Sequence, residues 1–113
     1  RAVPSIAARE ATALMDAVTA QAAVPRASIG GWIVHAGGRD VLAAVREAAG
    51  LDAAALRHSA EALRRYGNLS SAFVYFVLRA AIDDPDTPPG WWWMTSFGAG
   101  FACHGALLDV QPA

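Results

Sequence analysis

Two short segments place one imidazole and one carboxamide thirty-three positions apart: Trp32-Ile33-Val34-His35-Ala36-Gly37-Gly38 and Tyr66-Gly67-Asn68-Leu69-Ser70-Ser71. A neutral imidazole N–H and an amide N–H both donate hydrogen bonds without carrying a fixed charge. That suits a water-poor pocket holding a developing oxyanion or enolate. His35 and Asn68 are therefore the candidate catalytic pair. Cys103, the single cysteine, falls within a predicted strand and reads as a small buried apolar residue rather than a nucleophile. His58 and His104 lack the i, i+4 or Cys-x-x-Cys spacing of a zinc site, so no metal is expected.

These residues need elements to position them. The Ala-rich stretch from Ser5 to about Ala23 predicts a helix, with Ser5 as N-cap and Val24-Pro25 as its stop. Gly30-Gly31 then precede Trp32-Ile33-Val34-His35, an apolar run typical of a buried strand, which puts His35 at a strand's C-terminal end. Gly37-Gly38 break the strand. Arg39 to Ala49 predicts a helix with Val41, Leu42 and Val45 on one face and Gly50 as its stop. Asp52 caps a further helix to about Tyr66, with Leu56 and Leu63 inward and Arg57, Glu61, Arg64 and Arg65 outward. A third, capped by Ser70 or Ser71, runs to Ile82, and its apolar residues on nearly every face predict burial. The Pro-rich segment 83–90 is a surface loop. Trp91 to Phe97 and Phe101 to Val110 read as two strands of a hairpin joined by Gly98-Ala99-Gly100. The expected order is α, β, α, α, α, β, β.

At 113 residues, 55% of them hydrophobic, the chain can fill the core of one domain. Only 17% are charged, so much apolar surface is expected to be covered by another domain or subunit. All nine cations are arginines, scattered rather than clustered, and the formal net charge is −1, which gives nucleic-acid binding no support. Arg9, Glu10 and Asp16 interrupt the first apolar segment, so no membrane span is expected. A single cysteine fits a reducing, cytoplasmic setting. The start at Arg1, without methionine, is what a processed or partial polypeptide would show.

In order and spacing, three segments resemble the C-terminal half of type III polyketide synthases, the chalcone and stilbene synthase family of the thiolase fold. They are Trp-Ile-x-His-x-Gly-Gly (Trp32 to Gly38), Tyr-Gly-Asn-x-Ser-Ser (Tyr66 to Ser71) and a glycine loop, Ser96-Phe97-Gly98-Ala99-Gly100. Ala36, Leu69 and Ala99 stand where plant members commonly carry proline, methionine and proline. These departures point to a bacterial branch with a reshaped cavity, making alkylresorcinols, alkylpyrones or other phenolics as well supported as plant-type products.

The resemblance implies an α/β fold: a C-terminal thiolase-like half-domain over residues 1–113, helices packed on a mixed sheet ending in a β-hairpin. It implies a Cys-His-Asn triad to which His35 and Asn68 contribute, the cysteine lying in an N-terminal half absent from this sequence. The cysteine would be acylated from an acyl-CoA starter, and malonyl-CoA decarboxylated to the attacking carbanion. His35 would also hold that cysteine as a thiolate. The resemblance further places Ser70, Phe97, Gly98 and Ala99 around the elongation cavity, although Ser70 can equally be only an N-cap. Gly37 and Gly38, with Arg39, would lie beside the pantetheine arm of CoA, or serve only the turn. No cofactor beyond the CoA thioester substrates, a homodimer and a cytoplasmic location are implied. Two alternatives stand beside this reading: a ketoacyl-ACP synthase III making one condensation, and a non-catalytic half-thiolase partner protein.

Overall fold

A computed structural model of the chain describes residues 2–35, 39–67, 73–97 and 103–112. Helix α1 spans Ala2–Ala22. It begins earlier than expected, so Ser5 lies within the helix rather than at its cap; Pro4 is tolerated because first-turn N–H groups have no intrahelical acceptor. The helix closes in a Schellman motif: the Val24 N–H donates to Thr19 O at 2.9 Å and the Ala23 N–H to Ala20 O at 3.2 Å, with Ala23 left-handed at φ 58°. Strand β1 is Ile29–Val34 and helix α2 is Arg39–Ala49. Gly50 ends α2 at φ 70°, as expected.

Asp52 does act as a cap, accepting from the Ala55 N–H at 3.0 Å, but it caps a 3-10 turn, Ala53–Leu56, that leads into helix α3, Arg57–Tyr66. Helix α4 is Phe73–Asp83, and strands β2 and β3 are Gly90–Phe97 and Cys103–Val110. The sheet order is β1-β2-β3, with β1 parallel to β2 and β2 antiparallel to β3. The hairpin ladder runs from Gly90↔Val110 to Phe97↔Cys103.

Both faces of this mixed sheet are covered. Trp32, Val34 and Trp93 pack with Ala8 and Met15 of α1 and Leu42, Val45 and Ala49 of α2. Ile33 and Trp92 pack on the opposite face with Ala62 of α3 and Phe73, Val74, Val77 and Ala81 of α4. Adjacent tryptophans point to opposite faces because strand side chains alternate. Each rests on a glycine. A Cβ on Gly31 would stand 2.5 Å from the Trp92 ring, and one on Gly105 would stand 2.5 Å from that of Trp93. Gly31 therefore belongs inside β1, not ahead of it as expected, because the Trp92 ring occupies the space a side chain would need.

A second correction concerns α4. Phe73, Val74, Val77 and Ala81 are buried, but Tyr75 (65% exposed), Ile82 (56%) and Phe76 (45%) face outward. The described chain has one sheet face to offer this helix and so covers only half of it. Cys103 differs too: it opens β3 and is half-buried, not deep in the core.

The loop after α4 is tied back to α3 through Asp84. Its Oδ2 accepts from Arg57 at 2.9 Å and lies 2.9 Å from His58 Nε2, while its Oδ1 accepts the Asp86 N–H at 2.8 Å. The Asp86 N–H, and after it Arg57, hold this carboxyl below its ordinary value of 3.8. A depressed carboxylate stabilises the folded state above the unfolded-state value and loses that contribution as pH falls through the folded one. Asp84→Asn is accordingly expected to lower the chemical-denaturation midpoint at pH 7. Its difference from wild type should close as the pH drops below about 4, whereas a constant difference across that range would refute this role for the carboxylate.

Candidate functional site

His35 immediately follows β1, at the C-terminal end of the parallel pair, where open α/β sheets place their ligand crevices. Its backbone N–H donates to Thr95 O at 2.9 Å, extending the β1–β2 pairing one residue beyond the strand. The preceding Val34 N–H points the other way, to the outer edge of β1, and donates to Ser59 Oγ of α3 at 3.2 Å. Ser59 is almost fully buried, so this hydroxyl satisfies an edge donor that water does not reach. Two successive N–H groups, held from opposite sides, fix the backbone that carries the imidazole.

The His35 side chain is buried on the α4 side of the sheet. Its ring lies against Phe73, the first residue of α4, with centroids 5.4 Å apart and planes at 48°. Thr95, which supports His35 through its carbonyl, is itself held across the sheet: its hydroxyl donates to His104 O at 2.8 Å and lies 3.6 Å from Cys103 Sγ. A cleft of about 350 Å³ opens beside this arrangement, lined by Val74, Tyr75, Met94, Thr95, Ser96 and His104 among others.

Of the residues expected to do chemistry, His35 is where the sequence puts it. Phe97 ends β2, paired with Cys103. Asn68, Gly37, Gly38, Ser70, Gly98 and Ala99 lie outside the described residues. Arg39 opens α2 and, with Leu42, Ala60, Leu63 and Arg64, lines a separate cleft of about 520 Å³; Arg64 is already paired with Glu61 at 2.6 Å. Among the described residues no group of three or more His, Cys, Asp or Glu could hold a metal ion. No helix among them is long and apolar enough to cross a membrane.

Sequence reasoning missed Ser59, Thr95 and Phe73. Ser59 had a legible signal, because Leu56, Ser59 and Leu63 share the i, i+3, i+7 spacing of the inward face, where a polar residue needs a partner. Thr95 acts through its main chain and Phe73 through a contact between distant elements. Neither leaves a local pattern.

The chain matches the family described as chalcone and stilbene synthases, C-terminal domain, over residues 2–111. It is 32% identical over 108 residues to a 3,5-dihydroxyphenylacetyl-CoA synthase of Amycolatopsis orientalis, a match covering 95% of this chain and 29% of that protein. It is 43% identical over 81 residues to a 1,3,6,8-tetrahydroxynaphthalene synthase of Streptomyces peucetius subsp. caesius, covering 71% of this chain and 22% of that protein. The chain thus spans less than a third of the length of these relatives. Among solved structures, PKS-I from the brown alga Ectocarpus siliculosus is similar with a TM-score of 0.82 at 26% identity, over 96% of this chain and 30% of that one. The C-terminal type III polyketide synthase domain of Steely1, a type I/III hybrid from Dictyostelium, shares the fold with a TM-score of 0.85 at 24% identity, over 97% of this chain and 31% of that one.

Removing the Ser59 hydroxyl strands the Val34 N–H at a buried edge. Ser59→Ala is expected to destabilise the fold by about 1–3 kcal/mol, read from urea midpoints at unchanged slope. Wild-type stability would show that this bond does not hold the strand.

Proposed function

Because the chain belongs to the chalcone and stilbene synthase family, with the fold of its C-terminal, thiolase-like half-domain, we propose that it supplies the His and Asn of a Cys-His-Asn condensing site. The whole protein would then extend an acyl-CoA starter with malonyl-CoA. The observation that carries this reading is His35: a buried imidazole at the C-terminal end of a parallel strand, inside Trp-Ile-x-His-x-Gly-Gly, its backbone fixed by Thr95.

In the proposed reaction a cysteine thiolate from the part of the polypeptide outside this sequence attacks the starter thioester. The acyl C–S bond to CoA breaks, CoA leaves as its thiolate and takes a proton from solvent, and the acyl group is held on the cysteine sulfur. Malonyl-CoA loses CO₂, and the C–C bonding pair becomes an enolate whose negative oxygen accepts from the His35 imidazole and the Asn68 amide. The enolate carbon then attacks the acyl carbonyl, the C–S bond breaks, the thiolate returns, and a chain two carbons longer remains on CoA. Donors already in place in a water-poor site stabilise that oxygen without the reorganisation water would require. The names of the two relatives, a dihydroxyphenylacetyl-CoA synthase and a tetrahydroxynaphthalene synthase, support a polyhydroxylated aromatic as the product class.

The exposed stripe of Tyr75, Phe76 and Ile82 supports packing of this half-domain against the remainder of the polypeptide, with a homodimer as the assembled enzyme.

His35→Ala in the full-length protein is expected to slow CO₂ release from malonyl-CoA on the order of 10²–10³-fold, with folding intact by circular dichroism. Mass spectrometry of products from a panel of acyl-CoA starters should lose multiply extended aromatics in parallel. Undiminished decarboxylation would remove the enolate-donor role, and a single β-ketoacyl product from wild type would replace iterative synthesis with one condensation.

A further inference from the structure

Strand side chains alternate between the two faces of a sheet, so the α4 face can be read row by row from the pairing register. Gly31, Trp92 and Leu108 make one row, and Ile33, Met94 and Ala106 the next. Both are apolar. The row after them lies at the C-terminal end of the parallel pair. It begins with His35, one step beyond the last β1–β2 pair, Val34↔Thr95, and continues with Ser96↔His104. An imidazole, a hydroxyl and a second imidazole thus stand side by side across the end of a face whose preceding rows are apolar.

The second imidazole has no structural task in the described fold. His104 is exposed and Ser96 half-buried, and both line the cleft of about 350 Å³ beside α4. Among the described residues no hydrogen bond or ion pair engages the His104 ring. Val74 and Met94 give the same cleft apolar walls, and a few polar groups set in an apolar lining are the composition of a ligand pocket. We propose that this row is a binding track for the growing β-polyketone chain, His104 and Ser96 donating to its ketone oxygens and so setting how far it extends before release; the inference rests on the functional reading above.

Each two-carbon extension leaves a carbonyl on every second carbon. Neighbouring strands stand about 4.7–4.9 Å apart, close to the repeat of every second carbonyl along an extended chain of that kind. Donors on adjacent strands can therefore reach alternate oxygens, with Met94 and Val74 against the methylenes. A chain so held stays extended. One that is not held folds back: its enol oxygen attacks the thioester carbonyl carbon, the C–S bond breaks, the departing thiolate takes up the enol proton, and a short pyrone is released.

In the full-length protein, wild type, His104→Leu, His104→Gln and Asp109→Asn are compared by mass spectrometry of the products from malonyl-CoA and an acyl-CoA starter. The readout is the ratio of the longest product to short pyrones. Leucine fills the space without a donor, glutamine keeps an N–H, and Asp109, exposed further along the same strand, is the control. His104→Leu is expected to lower the ratio about 3- to 10-fold, with His104→Gln within roughly two-fold of wild type. Asp109→Asn should match wild type. If His104→Leu does not fold, Ser96→Ala takes its place with a fall in the same range. A wild-type ratio in the Leu or Ala variant, the result if another segment of the polypeptide fills the cleft, overturns the proposal. So does a glutamine variant as low as leucine, which would assign the effect to shape, or an equal fall in Asp109→Asn, which would assign it to the strand. If wild type itself makes no multiply extended product, the functional reading fails and this inference falls with it.

Discussion

The parallel pairing of β1 with β2 is the constraint on which the rest of the structure depends. Parallel neighbours cannot be joined by a tight turn, so the chain between them must cross over, and here it does so through α2, α3 and α4. The paired strands are apolar on both faces and demand cover on both. Helices α1 and α2 meet Trp93 on one side, and α3 and α4 meet Trp92 on the other. Gly31 and Gly105 let those two large rings lie close on the sheet, which is why glycine appears in strands where its entropy cost would otherwise count against it.

That pairing also delivers the candidate catalytic group. The His35 N–H joins the β1–β2 pairing at Thr95 O, so the candidate catalytic residue stands at the end of the strand. The adjacent N–H, facing away from the sheet, is taken up by Ser59 of α3, and the imidazole meets Phe73 of α4. Strand, sheet neighbour and two helices thus meet at the end of β1.

Much of this was legible in the residues. The alternation of glycine punctuation with apolar runs located the α-helices and strands of the described residues in the right order but neither 3-10 turn, and the run Trp32 to His35 identified the strand end that carries the imidazole. Position-by-position burial was less legible. Helix α4 reads as apolar all round because composition cannot say which neighbour covers which face, and in this chain Tyr75, Phe76 and Ile82 stay outside. Gly31 reads as a breaker until the Trp92 ring is seen above it. Of the two candidate donors, His35 follows β1 at the expected strand end, while Asn68 lies outside the described residues. The supports of His35 arise from contacts between elements far apart in sequence, which no local pattern encodes.

The central claim is that His35 and Asn68 together receive the negative oxygen of an enolate. The most direct test is a crystal structure of the full-length protein with a non-decarboxylating malonyl-CoA analogue bound. This account predicts the analogue's thioester oxygen about 2.7–3.1 Å from both the His35 imidazole nitrogen and the Asn68 amide nitrogen. A thioester oxygen held by other groups, with His35 beyond about 3.5 Å, would contradict it.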